Sequence, residues 1–185
     1  DTGITAVEAA IAAKARGVTL VITDHHLQKD ELPETPYIIN PNQNIDTSGL
    51  RYLSGAGVAF YLAVAVRSKL REKGFFETPA GGDGRGVPRT EPDLRQWLDY
   101  FVLGTVADHV DLVGDNRILT RAGLRALLLS ERPGVAALRN KVLPNAKYIS
   151  TRDVGFSMTP KLNAASRLGR AELSTELLMT EDVKR

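Results

Sequence analysis

The sequence contains no cysteine. That excludes a disulfide scaffold and thiolate metal sites, and it fits a cytoplasmic protein. No apolar run approaches the ~20 residues needed to cross a bilayer, since the longest, Ala56 to Val66, has 11. The opening residues also lack the basic-then-apolar pattern of a secretory leader. Histidine is scarce, with three in the chain. What is present is ordinary for a soluble globular protein: 185 residues, 43% hydrophobic and 25% charged. This is about one domain's length, with enough apolar material for a sizeable core. An intrinsically disordered chain would be poorer in it. The first residue is Asp, not Met, and a helical pattern follows at once. We therefore expect a piece of a longer chain, cut at both ends.

The net charge of +2 says little, but its distribution says more. Residues 1–60 carry 4 basic and 7 acidic side chains, whereas residues 61–185 carry 20 and 15. From Arg139 to Arg170 there are seven basic residues against one acid, Asp153. Such a segment either favours anionic partners such as phosphates or is a solvated basic face.

Thr5-Ala6-Val7-Glu8 has the form of a capping box and predicts a helix over about 5–16, with Gly17 as its C-cap. Val18 to Thr23 is a β-branched run with the look of a buried parallel strand. Tyr37-Ile38-Ile39 predicts a second strand, ended by Asn40-Pro41-Asn42. Helices are expected from Ser54 to about Glu72, over 93–107, and from Arg117 to Leu129 behind an Asp115 or Asn116 cap. Two more are expected from Pro133 to about Lys141 and over 172–179. Residues 77–92, rich in Gly and Pro, predict a flexible surface loop. The expected class is α/β. A parallel-sheet part over 1–53 carries flanking helices, and a mainly helical part follows over 54–185.

Asp24-His25-His26 stands where the first strand ends. Open parallel sheets bind ligands beyond the carboxyl ends of their strands. Imidazole ligates divalent transition metals, and Asp can bind a metal or orient a ring. The alternative is a surface dipeptide in a polar loop. Asp1 heads the first helix, where an acid is also favoured by the dipole. Asp108 closes the apolar stretch Leu103 to Ala107, where a buried carboxylate would be costly unless paired or metal-bound. A hydrogen-bonded helix-end aspartate is the plainer reading. In Pro160 to Arg167, small residues at 164–166 would let Asn163 and Arg167 approach a ligand. Arg grips phosphate in a fork, and Asn both donates and accepts. A tight helix contact with an exposed Arg reads equally well.

Together these segments resemble the DHH phosphoesterase superfamily, named for the triplet standing here as Asp24-His25-His26. Within it they are most similar to the RecJ family of single-stranded-DNA-specific exonucleases. Asp1 to Ala6 resembles the family's second motif, and Leu103 to Asp108 the fourth. Pro160 to Arg167 resembles the segment P-R-L-N-A-A-G-R. Ser54 to Ala59 and Asn116-Arg117 with Leu124 also fit, so nearly the whole chain is covered except the 77–92 loop.

The resemblance implies two divalent ions, Mn²⁺ or Mg²⁺. Asp1 would bridge them, and His25 and Asp108 would ligate one. Asp24 and His26 would be the catalytic pair, with Asp24 supporting the site and His26 contacting the scissile phosphate or its water. Lys161, Asn163 and Arg167 would hold backbone phosphates. The implied reaction is 5′-to-3′ hydrolysis of single-stranded DNA to 5′-mononucleotides in repair and recombination. The implied partners are single-stranded DNA and DNA repair helper proteins, with no membrane. Three departures stand out. The family's first motif is expected upstream of Asp1, so this chain alone is expected to be inactive. Ser166 replaces the usual Gly. His109-Val110-Asp111 replaces the apolar residues and Pro that commonly follow the fourth motif. The alternatives are a phosphoesterase acting on short oligonucleotides, cyclic dinucleotides or pyrophosphate, and a degenerate nucleic-acid-binding scaffold.

Overall fold

Gly3 sits at φ +121°, and a Cβ there would lie 3.1 Å from Ile22 Cγ2. Only glycine combines that backbone with so close an approach to the first strand. The computed structural model describes residues 2–77 and 90–182. They fall into two compact units, one of residues 1–51 and 55–96, the other of residues 52–54 and 97–185. Most of the predicted 77–92 loop lies outside the described residues.

In the first unit, helix α1 (Val7–Ala15) leads through Gly17, at φ +68°, toward strand β1 (Ile22–Thr23). Strand β2 (Ile38–Ile39) pairs with it in parallel, Ile22 beside Ile38 and Thr23 beside Ile39. Helix α2 (Gly55–Glu72) completes the unit. The α/β class with a parallel sheet holds, but two expectations need correction. The capping box at Thr5 does not form, because α1 starts at Val7 behind Ala6 with no side-chain cap. The buried strand expected over Val18 to Thr23 also shrinks to its last two residues. Pairing is confined to two residues, and Val18 and Val21 are more than half exposed. Among the described residues β1 has one neighbour, so no further strand covers the rest of that β-branched run.

The second unit is helical. A 3₁₀ turn at Leu94–Trp97 leads into α3 (Leu98–Ala107), followed by α4 (Gly114–Leu129) and α5 (Pro133–Val142). Then come α6 (Thr151–Asp153), a π-helical turn (Val154–Met158), α7 (Thr159–Arg167) and α8 (Glu172–Met179). Helical spacing over 93–107 puts Leu94, Trp97, Leu98, Phe101 and Val102 on one face, and all of them are buried except Trp97, which is half-buried. The unit's core joins Val102, Leu103 and Val106 of α3 to Leu127, Val135, Leu138, Ile149, Val154 and Met158. Asp115 and Asn116 do not cap α4, which begins at Gly114 behind Val113. Asn116 is fully buried instead and donates to the carbonyls of Tyr52 and Asp111. The sequence pattern gives no helix over 151–167, although Ser150 and Asp153 form a reciprocal capping box. Pro160 interrupts the pattern there. It lacks an N–H and stands in the first turn of α7, directly after the π turn.

Arg139, counted above in the basic run, has a structural task. Its Nη1 donates to the carbonyls of Leu127, Leu128 and Ser130 at the end of α4. Asp99, buried on α3, accepts from Ser130 Oγ at 2.8 Å and Arg132 Nε at 3.2 Å. That network ties α3 to the α4–α5 connection.

Candidate metal and phosphate site

Asp24 leaves the end of β1 almost wholly buried. Its Oδ2 accepts the Ile4 N–H at 2.9 Å. Its Oδ1 accepts the N–H groups of His25 at 2.7 Å and His26 at 3.1 Å, and meets His26 Nδ1 at 2.7 Å. Four donors match the roughly four acceptor positions of a carboxylate. Burial pushes the carboxyl up. The Ile4 N–H, the His26 ring and the N–H groups of His26 and His25 outweigh it and hold the pKa at about 2. Asp24 is therefore ionised at neutral pH and committed to holding its neighbours. A carboxylate at Nδ1 fixes the neutral His26 ring with its proton on Nδ1, so Nε2 is the basic nitrogen. Most of the His26 side chain is exposed, while His25 is half-buried with Nε2 inside the protein.

The Ile4 bond also brings the turn that follows Asp1 against the end of β1. Asp1 itself lies outside the described residues. The loop after β2 supplies a second set of supports. Asn40 Nδ2 donates to the His26 carbonyl at 2.9 Å, and Asn42 Nδ2 donates to the His25 carbonyl. Asn40 Oδ1 accepts the Asn42 N–H at 2.7 Å. In the sequence, Asn40-Pro41-Asn42 reads only as a strand terminator. The signal was available: in a parallel pair, residues just past both strands share one edge of the sheet.

The other named residues belong to the second unit. Asp108 is the C-cap of α3 and is exposed, so burial places no cost on its charge. It stands at the negative end of the helix dipole, where an anion is disfavoured and a nearby cation is welcome. Lys161, Asn163 and Arg167 are all exposed on α7. Asn163 and Arg167, four apart, share a face, whereas Lys161 points well away from both at helical spacing. Among the described residues, no three His, Asp or Glu side chains gather as a metal cage. The donor types present, imidazole and carboxylate, do suit Mn²⁺ and related ions. No helix among the described residues is long and apolar enough to cross a membrane.

Residues 1–80 match the family described as "DHH family, N-terminal domain". Over 99% of its length the chain is 40% identical to the single-stranded-DNA-specific exonuclease RecJ of Dickeya dadantii and 38% identical to that of Escherichia coli. It covers 31% and 30% of those proteins, so it spans about a third of the relatives it matches. The crystal structure of an exonuclease RecJ bound to manganese superposes over the whole chain with a TM-score of 0.79 and 30% identity, covering 41% of that chain. RecJ from Thermus thermophilus in complex with Mn²⁺ gives 0.78 and 31%, covering 24% of that chain.

Proposed function

Because residues 1–80 match the model of the DHH family's N-terminal domain and the whole chain is similar to part of RecJ, we propose that it is part of the catalytic core of a metal-dependent exonuclease. The substrate is single-stranded DNA, cut from the 5′ end into 5′-mononucleotides during repair and recombination. Repair helper proteins are the fitting partners, and a cytoplasmic location fits a cysteine-free chain. The observation that carries this reading is the Asp24–His26 pair, an ionised buried carboxylate on the Nδ1 of an exposed imidazole.

Each residue has a role in it. Asp24 holds His26 in one tautomer and fixes both histidine N–H groups. His26 uses Nε2 to accept a proton from water and, once it carries that proton, to donate to a phosphate oxygen. Asp1, His25 and Asp108 are the proposed ligands of two divalent ions, Mn²⁺ or Mg²⁺. When bound, those ions supply Lewis-acid stabilisation of the phosphate and lower the pKa of water. Asn163 and Arg167 grip the backbone from one face of α7, and Lys161 adds positive charge nearby.

The test gives the complete protein Mn²⁺ and three substrates: a 5′-phosphorylated single strand, a blunt duplex and a dinucleotide. Mononucleotides released from the single strand, with little from the duplex, are expected. Preference for the dinucleotide would replace this reading with a small-substrate phosphoesterase. Tight strand binding without hydrolysis would replace it with a scaffold.

A further inference from the structure

The second unit holds a groove of about 500 Å³ at the end of α3, lined in part by Val106, His109, Val110, Arg152, Gly155 and Phe156. Its size lies in the range of small-ligand sites. Phe156 is 77% exposed, although its neighbours on the π turn, Val154 and Met158, are fully buried. An aromatic face is thus presented to solvent on a rigid support, and π turns recur at functional sites. Phe has no polar tip, so the ring offers only its face and edge.

The other walls point the same way. His109 holds φ +57° just past the C-cap of α3, where glycine is usual. That uncommon backbone carries an imidazole to the rim of the groove. A Cβ on Gly155 would meet only Val106 Cγ1, at 3.6 Å, and its φ is not positive. Neither close packing nor backbone freedom demands glycine there, and its absent side chain keeps the floor open. Arg152 is exposed beside it, while the neighbouring Asp153 carboxylate is engaged by Ser150. An aromatic face, a guanidinium and a ring with polar nitrogens around a partly apolar floor match single-stranded nucleic acid. Its bases are open to stacking and its phosphates alternate with them.

We propose that this groove holds one base of a single strand, stacked on Phe156, with Arg152 taking an adjacent phosphate and His109 bonding the base edge. The proposal rests on the nuclease reading and gives Asp108, which immediately precedes His109, a strand-holding neighbour.

The experiment measures binding of a short, 5′-phosphorylated, 3′-fluorescent oligothymidylate to the complete protein by anisotropy. EDTA is present throughout to prevent hydrolysis. Phe156→Ala is expected to weaken binding about tenfold, and Phe156→Tyr to retain it. On an abasic strand of the same length, wild type and Phe156→Ala should bind alike. Arg152→Ala should reduce the salt slope by about one on both strands. Because these side chains are exposed, unchanged thermal midpoints are expected and show that folding is intact. Equal binding by wild type and Phe156→Ala on the intact strand overturns the stacking site, as does an equal loss on both strands. Absence of any strand binding by the wild type overturns the nuclease reading together with this site.

Discussion

The carboxamide of Asn40 donates to the main-chain carbonyl of His26 at 2.9 Å. Through that bond the loop after β2 holds the loop after β1. Asn40→Ala removes it and also takes the acceptor from the Asn42 N–H. Asn40 is 3% exposed, so the freed groups lose buried partners. Urea unfolding of the complete protein should show a loss of about 1–3 kcal/mol. A change within experimental error would mean that water replaces the clamp without cost.

Asp24 makes stability depend on acid. Its folded pKa is depressed from 3.8 to about 2, so the folded state binds its proton less readily than the unfolded chain does. The resulting stabilisation is fully present above the unfolded value. It is lost as pH falls from about 5 toward 2, and is worth about 2 kcal/mol. The stability difference between wild type and Asp24→Asn should therefore shrink across that window. Parallel curves from about pH 6 to pH 2 would contradict the hydrogen-bond assignment.

His25→Ala should lower Mn²⁺-dependent hydrolysis in the complete protein by more than about 100-fold, since even partners of metal ligands cost roughly 10–100-fold. The half-buried ring contributes little to the core, so the unfolding midpoint should move little. Wild-type rates in the variant would remove His25 from the site.

Arg167→Ala should weaken single-strand binding and lower the salt slope by about one, the signature of one lost phosphate contact. The reading of Asn163 and Arg167 as a shared grip predicts that Asn163→Ala weakens binding with the slope unchanged. An unchanged slope in Arg167→Ala would make that arginine a surface residue only.

Gly123 marks a tight approach of α4 to α3. A Cβ there would lie 2.6 Å from the Leu98 carbonyl oxygen and 2.8 Å from Val102 Cβ. Gly123→Ala must push the helices apart, at an expected cost of about 1–3 kcal/mol by thermal unfolding. A neutral or stabilised variant would show that the pair can slide without penalty.

Local sequence pattern is enough to place the periodic elements. Apolar spacing located α3, the small-residue start at Ser54 located α2, Pro133 located α5, and the reading over 172–179 matches α8, because those signals are local. Local pattern also placed Asp24-His25-His26 at the end of a strand, whereas the shared face of Asn163 and Arg167 appears only once α7 is seen, because no helix was legible over 151–167. Other features depend on contacts between segments far apart in the chain. Whether Val18 and Val21 are buried depends on which strands flank β1, and no local pattern encodes that. Arg139 counts toward a phosphate-binding run in the sequence, yet the end of α4 takes its guanidinium. Asp108 reads in sequence as a buried carboxylate or, more plainly, as a helix-end aspartate, and it is the exposed C-cap of α3. The fourfold grip on Asp24 needs Ile4, twenty residues earlier, and the clamp on the histidine loop needs Asn40 and Asn42, on the next strand's loop. Hydrogen bonds between segments distant in sequence form only when the parallel pair brings their ends to one edge. That juxtaposition belongs to the fold and to no single stretch of residues.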